Sequence, residues 1–310
     1  MNPRVVIVAG PTASGKSALA LALAEEFGGT VINADSMQLY RELRILTARP
    51  DALAGERAPH LLYGVLGAGA PASAGKWRAM ALRAIEDARV AKRLPIVVGG
   101  TGLYLRALTQ GLSPIPPVPE KIRAKARALH AKLGGKKFRA GLMERDPATA
   151  ARLDPGDTQR LIRAHEVLEA TGTPLSVWQA KSGEKSAHRF FPILLMPDRA
   201  ELHAAIDARF LGMMQAGALD EARALKALKF DPALPAMKAL GVPALIQHLD
   251  GAIPLEEAVK CAQAASRQYA KRQATWFRHQ FQADLTINAQ YSERLLTKIF
   301  PKIRQFLLTP

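Results

Sequence analysis

Val5-Val6-Ile7-Val8-Ala9 runs directly into Gly10-Pro11-Thr12-Ala13-Ser14-Gly15-Lys16-Ser17, and this stretch decides the fold. The apolar run reads as a buried strand. Gly10–Ser17 has the form G-x-x-x-x-G-K-[ST], the phosphate-binding loop, in the context the motif requires: a strand before it and a helix after it. Ala18 to Phe27 reads as that helix, closed by Gly28-Gly29. Glycines let backbone N–H groups converge on phosphate oxygens, and the helix N-terminus adds positive potential. Lys16 supplies a point charge, and Ser17 a hydroxyl for Mg²⁺ or a phosphate. The bland alternative is a tight strand-to-helix turn that binds nothing. The motif asks for a di- or triphosphate without saying which.

The same design recurs downstream. Thr30 to Ala34 reads as a second strand, ending at Asp35-Ser36. Trp77 to Lys92 has helical spacing. Leu94 to Val98 reads as a third strand, followed by Gly99-Gly100-Thr101-Gly102 and a helix from Leu103. Strands alternating with helices predict an α/β fold, a P-loop NTPase-like parallel sheet flanked by helices. Ligands of such sheets gather at the carboxyl ends of the strands. Ser17, Asp35 and Thr101 each fall just past a strand end, so one pocket can receive all three.

Pro114, Pro116, Pro117 and Pro119 interrupt regular structure and mark the exit from this core. Glu120 to about Lys185 then reads as helical and strongly basic, a helical insertion over 113–189. Phe190 to Met196 is extended and apolar, returning the chain to the sheet. Glu201 onward is helical again, and Leu255 to Phe281 reads as one long helix. The expected division is therefore a core of 1–112 and 190–310 around the insertion.

The 310 residues carry a formal charge of +16, which favours a polyanionic partner, nucleic acid before membrane. The single cysteine, Cys261, excludes a disulfide within the chain and disfavours a Cys-based zinc site. The histidines show no metal-ligand spacing. No apolar run approaches the roughly 18 residues of a membrane helix. The first strand begins too early to leave room for a signal peptide, so the expected compartment is the cytoplasm.

Four segments could carry chemistry. Asp35, past a strand end, could cap a helix, hold Mg²⁺ through water, or act as a general base. Gly99–Tyr104 permits close backbone approach and aims the Thr101 hydroxyl at the same mouth; a plain βα connection is the alternative. Asp157 to Glu166 reads as a helix N-terminus, with Gly172 as its C′ residue. Gln159, Arg160 and Arg163 there suit phosphate and base-edge contacts, or else a solvated face with an Arg–Glu pair. Ser266 to Arg278 sets Arg267, Lys271 and Arg278 near one helical face and Tyr269, Arg272 and Trp276 near another. It offers a basic face for a phosphate backbone or a diphosphate contact, with Trp276 and Phe277 read as core.

Together GPTASGKS (10–17), DSMQLY (35–40), PIVVGGTGLY (95–104), DTQRLIRAHE (157–166) and SRQYAKRQATWFR (266–278) resemble the tRNA dimethylallyltransferase family over nearly the whole chain. The resemblance implies a core that binds dimethylallyl diphosphate and an insertion that grips the tRNA anticodon stem-loop. It implies prenylation of N6 of adenine 37, with Mg²⁺ near Ser17 and no membrane partner, by a monomer. By this likeness Gly10, Pro11, Thr12, Ala13, Ser14, Gly15, Lys16 and Ser17 hold the diphosphate. Arg209 corresponds to the family's additional diphosphate arginine. Asp35 matches the general base and Thr101 the residue at the mouth of the reaction channel. Asp35, Ser36, Met37, Gln38, Thr101, Arg123, Gln159, Arg160, Leu161, Ile162 and Arg163 match tRNA contacts.

The chain departs from the family at Tyr63–Ala68, where acidic residues and Asp-Pro are usual, and at Ala236–Val242, where an Ile-Gly-Tyr-type sequence is usual. The lack of a zinc-finger tail suits a bacterial type. Other readings are a P-loop kinase of a nucleoside or metabolite, an adenylate isopentenyltransferase, and a non-catalytic RNA-binding regulator. The basic insertion disfavours the first two, and the intact Gly15-Lys16-Ser17 with Asp35 disfavours the third.

Overall fold

A computed structural model describes residues 3–181, 183 and 186–309. They divide into two compact units, 1–109 with 186–310, and 110–185.

The first unit is built on β1 (Arg4–Ala9), α1 (Lys16–Phe27), β2 (Gly29–Asn33), α2 (Ala52–Arg57), β3 (His60–Leu61), α3 (Ala74–Val90), β4 (Leu94–Gly99) and α4 (Gly102–Gln110). The six-stranded sheet is parallel throughout, in the order β3-β2-β4-β1-β5-β6, where β5 is Arg189–Leu195 and β6 is Leu285–Ile287. Being parallel, it is covered on both faces, and its central strands are apolar runs rather than alternating ones. The pleat sends Val5, Ile7 and Ala9 of β1 to one face, where they meet Trp77, Ala81 and Ile85 of α3. Val6 and Val8 go to the other, against Leu19 and Leu23 of α1.

The sheet order makes the site. β2, β4 and β1 are consecutive neighbours, with Asn33 level with Val98 and Ala9 level with Gly99. The loops after β1, β2 and β4 therefore leave the sheet side by side. Trp77 ties this layer down: its Nε1 donates to the Asn33 carbonyl at 2.8 Å, and its ring stacks on Tyr104 with centroids 4.6 Å apart.

The chain then adds α9 (Arg199–Gln215), α10 (Ala218–Ala227), α11 (Val242–Leu249) and α12 (Leu255–Gln280), and closes with α13 (Leu296–Leu308) beyond β6. α9–α12 form a separate apolar cluster with Tyr40, Leu43 and Leu46 from the loop after β2. The Glu221 carboxylate fastens that loop by accepting from the backbone N–H groups of Arg44, Ile45 and Leu46 at 2.7–2.9 Å.

The second unit is a small helical body: α5 (Glu120–Arg145), α6 (Pro147–Ala150), α7 (Thr158–Thr171) and α8 (Leu175–Ala180). Its core joins Phe138 and Leu142 of α5 to Leu161, Ala164 and Val167 of α7. The uniform helical reading of 120–185 is too coarse. α5 is broken at Gly134 (φ 71°, ψ 161°), beside the packed Gly135, where a Cβ would stand 2.0 Å from the Pro155 carbonyl oxygen.

Candidate active site

The loop between β1 and α1 turns through Ala13 (φ 63°) and Gly15 (φ 84°), both left-handed. A side chain at Gly15 would also strike Tyr291, with Cβ atoms 2.5 Å apart. The loop is buttressed from behind, since Gln290 Nε2 donates to the Ala13 carbonyl at 2.6 Å and the Tyr291 amide to the Ser14 carbonyl at 3.2 Å. The amides of Ala13, Gly15, Lys16 and Ser17 have no acceptor among the described residues, so they are free to meet an anion. The remaining loop residues differ. Pro11 has no N–H, the Ser14 amide closes a turn onto the Pro11 carbonyl at 3.3 Å, and the Thr12 amide donates to Gln273 Oε1 at 2.8 Å.

Two cations enter the same space. Lys16 Nζ donates to the Pro11 carbonyl at 3.3 Å, and Arg209 on α9 donates to the Thr12 hydroxyl at 2.6 Å. Burial pushes the Lys16 ammonium down to about 8; the Asp35 carboxylate opposes that shift and the Arg209 charge adds to it. Burial lowers Arg209 as well, again opposed by Asp35. Two enclosed cations facing one carboxylate make an under-compensated positive site, which a diphosphate would neutralise.

The Lys16 shift carries a pH prediction. Burial holds the Lys16 ammonium down to about 8 in the free protein, whereas the bound diphosphate anion holds the proton to higher pH. Affinity for dimethylallyl diphosphate will therefore be constant below pH 8 and fall by up to about tenfold per pH unit above it, until the pKa of the complex is reached. Titrations between pH 7 and 9.5 read this directly; a flat profile would show that no proton on Lys16 is coupled to binding of the anion in this range.

Asp35 is half-buried in an Asx turn: its Oδ1 accepts from the Met37 amide at 2.9 Å, and its own amide donates to Asn33 Oδ1 at 2.8 Å. Residues 36–39 form bends and turns and Tyr40 bridges to Leu66, with no helix following Asp35, so the helix-cap reading of Asp35 does not hold. Asp35 Oδ2 has no hydrogen-bond partner among the described residues. Beside it, Thr101 Oγ1 accepts from the Ser36 amide at 3.0 Å, and Tyr269 of α12 lines the same cavity. Burial, then the Asp35 charge, pushes Tyr269 above its ordinary value, so it remains a neutral phenol. A cavity of about 270 Å³ opens on this ensemble. Thr12, Asp35, Arg209 and Arg272 make part of its wall polar, while Leu46, Ile206, Phe210, Met213 and Leu240 supply an apolar part. A charged head with a short apolar tail suits such a chamber.

Thr12, Arg209, Asp35, Ser36 and Met37 line this cavity, Thr101 adjoins it through its bond to Ser36, and Lys16 and the other residues of Gly10–Ser17 lie along the loop that carries Thr12, with Ser17 on a separate hollow beside Arg49, His60 and Tyr63. Gln38 turns to its own loop, its amide donating to the carbonyls of Thr47 and Ala48 at 2.9 and 3.1 Å. Arg123, Gln159, Arg160, Leu161, Ile162 and Arg163 belong to the helical unit. Gln159 and Arg160 are exposed there, and Arg163 lies 3.5 Å from Glu166, an Arg–Glu pair. Leu161 is fully buried in that unit's core, so its side chain holds α7 in place instead of lining a surface. Asp157 stands at the α7 N-cap without a capping hydrogen bond, and Gly172 ends the helix in the left-handed conformation. Ser17 is exposed on the first turn of α1. The described residues contain no cluster of three His, Cys, Asp or Glu side chains that could hold a metal.

The sequence model of the IPP transferase family matches residues 38–280, and that of isopentenyl transferases matches residues 3–69. The tRNA dimethylallyltransferase of Rhodospirillum centenum is 57% identical over 281 residues, 90% of each chain. This chain belongs to the tRNA dimethylallyltransferase family. The family member from Parvibaculum lavamentivorans is 52% identical over 99% of this chain and 98% of its own. The crystal structure of the Bacillus halodurans tRNA isopentenylpyrophosphate transferase superposes with a TM-score of 0.69 at 30% identity, covering 99% of this chain and 96% of that one. A eukaryotic dimethylallyltransferase acting on tRNA gives a TM-score of 0.83 at 26% identity, covering 97% and 77% of the two chains. Among the described residues no helix is long and apolar enough to cross a membrane.

Three contributors went unassigned at the level of sequence. Gln273, Tyr269 and Glu221 reach the site from helices far along the chain. The one legible hint was a polar residue, Gln273, beside two expected core aromatics on α12.

Proposed function

We propose that this tRNA dimethylallyltransferase family member transfers the dimethylallyl group of dimethylallyl diphosphate to N6 of adenine 37 in tRNA, with release of diphosphate. Membership of the family supports the reaction class. The observation that carries the assignment of residues is the pairing of two part-buried cations, Lys16 and Arg209, with a carboxylate that has one oxygen free.

The exocyclic amine of adenine is a poor nucleophile, because its lone pair is delocalised into the ring. The allylic diphosphate is a good electrophile, because the allyl cation is stabilised and diphosphate can leave. The protein therefore has to take charge from the leaving group and present N6. Lys16, Arg209 and the free loop amides do the first through fixed dipoles and charges. As the N6–C1 bond forms and the C1–O bond breaks, the bonding pair departs with the diphosphate, and the N6 proton passes to Asp35 Oδ2. Thr101, bonded to Ser36, offers a hydroxyl beside the incoming amine. The adenine has to leave its stack to enter, at a cost of a few kcal/mol or less in a loop.

Family membership implies a divalent cation, and we assign Mg²⁺ to the exposed Ser17 hydroxyl. A hard cation takes oxygen ligands, and the exposed Ser17 hydroxyl would supply one. When bound, it supplies further charge neutralisation of the leaving group. We assign the basic 110–185 unit to the anticodon stem-loop, through Arg123, Gln159, Arg160, Ile162 and Arg163 and the exposed Lys121, Lys125 and Arg127. We assign the activity to a monomer, and its tRNA substrate to the cytoplasm.

Labelled dimethylallyl diphosphate, Mg²⁺ and unmodified tRNA test the reaction: label should enter the RNA. Phosphate transfer from ATP to a small acceptor, with no labelled RNA, would instead identify a kinase. For the helical unit, Arg160→Ala with Arg163→Ala should weaken tRNA binding and reduce the slope of log K against log salt by about 1–2. An unchanged slope would remove both arginines from phosphate contact.

A further inference from the structure

Two of the glycine-rich turns that form the site are bridged by one side chain. Gln273 on α12 is 6% exposed. Its Oε1 accepts from the Thr12 amide in the loop after β1, and its Nε2 donates to the Gly100 carbonyl in the loop after β4, both at 2.8 Å. A primary amide is the side chain that can accept from one backbone and donate to another from adjacent atoms. The packing leaves no slack: a Cβ on Gly100 would stand 2.3 Å from Gln273 Nε2. Each bridged residue is also a node of the chemistry. The Thr12 hydroxyl receives Arg209, and Gly100 precedes Thr101, whose hydroxyl holds the Ser36 amide next to Asp35.

We propose that Gln273 is a positioning residue that fixes the separation of the diphosphate half-site from the adenine half-site. Each half-site has its own internal bonds. The anion loop is closed by its own turn and buttressed by Gln290 and Tyr291, and the Asp35 turn is closed by Asn33 and Thr101. Loss of the bridge should therefore leave both substrates able to bind while spoiling their mutual alignment, and the penalty falls on the transfer step. The inference rests on the prenyl-transfer reading above.

The test measures prenyl transfer to tRNA per active site, the sites being counted by stoichiometric binding of dimethylallyl diphosphate, so that loss of folded enzyme does not register. Gln273→Met keeps the length of the side chain and removes both bonds. Its kcat per site should fall at least about tenfold, and misalignment of about 1 Å can cost 10²; KM for either substrate should move less than about threefold. A smaller loss of kcat, or a loss carried by KM, overturns the proposal. Gln273→Glu gives a second readout. The carboxylate accepts from Thr12 but repels the Gly100 carbonyl, whereas the protonated acid restores the donor, and burial raises its pKa. The ratio of wild-type to variant kcat should narrow at least threefold between pH 8.5 and pH 6; a flatter ratio overturns the proposal. Wild-type enzyme run alongside separates the two ideas. No transfer by wild type sinks the reaction itself, whereas normal wild-type transfer with unaffected variants sinks the role of Gln273 alone.

Discussion

Asp35→Asn will lower the single-turnover rate of prenyl transfer by about 10²–10⁴-fold, the range for loss of a positioned general base. The substitution is close to isosteric. The amide oxygen can still accept from the Met37 amide, as Oδ1 does at 2.9 Å, so the turn that seats residue 35 should survive. What disappears is the free oxygen that takes the N6 proton, together with the negative charge facing Lys16 and Arg209. That second loss makes the variant informative. Removing an anion from between two cations should leave affinity for dimethylallyl diphosphate unchanged or improved while turnover collapses. A rate within threefold of wild type would remove Asp35 from the chemistry. A collapse of diphosphate binding with turnover of the bound complex intact would show that Asp35 serves the metal or the loop instead.

Lys16→Met should weaken binding of dimethylallyl diphosphate by about 10–100-fold, the worth of a charge-assisted hydrogen bond in an enclosed site. The ammonium is one of two part-buried cations there, and desolvation already lowers its pKa in the free protein. The variant should also lose the fall in affinity above pH 8, since its side chain cannot titrate. Both changes can be read from one set of binding titrations. Equal affinity in variant and wild type at pH 7 would count against the loop as the anion site, whatever the turnover. Residual binding by the variant is expected, because Arg209 and the free amides remain.

How much of this could be read from sequence depended on how far the chemistry lies from its own chain neighbourhood. The anion loop is local: its glycines, lysine and flanking strand and helix fall within residues 5–27, and the physics that shapes them acts over a few residues. Asp35 and Thr101 were legible because each follows a recognisable apolar strand, and the order of a parallel sheet brings such ends together. Gln273 lies 261 positions from Thr12 and 173 from Gly100. Nothing in the pattern of α12 says which backbone groups its amide will meet. Tyr269 and Glu221 are obscure for the same reason, and β6, three residues at the sheet edge, exists only through its pairing with β5. In the helical unit the arginines are legible as charge, but composition does not show that Arg163 stands beside Glu166 or that Leu161 turns inward. The helix-cap reading of Asp35 failed because its side chain closes a turn onto Met37, a choice that Asp makes as readily as capping.

The central claim is that a cradled diphosphate leaving group meets an adenine amine beside one carboxylate. Its most direct test is the identity of the product. Unmodified tRNA treated with the enzyme, Mg²⁺ and dimethylallyl diphosphate can be digested to nucleosides and mapped by mass spectrometry. The account predicts one dimethylallyl group on N6 of adenine 37, one diphosphate released per group transferred, and loss of both products in the Asp35→Asn enzyme. Prenylation at another atom or base, or undiminished product from that variant, would contradict it.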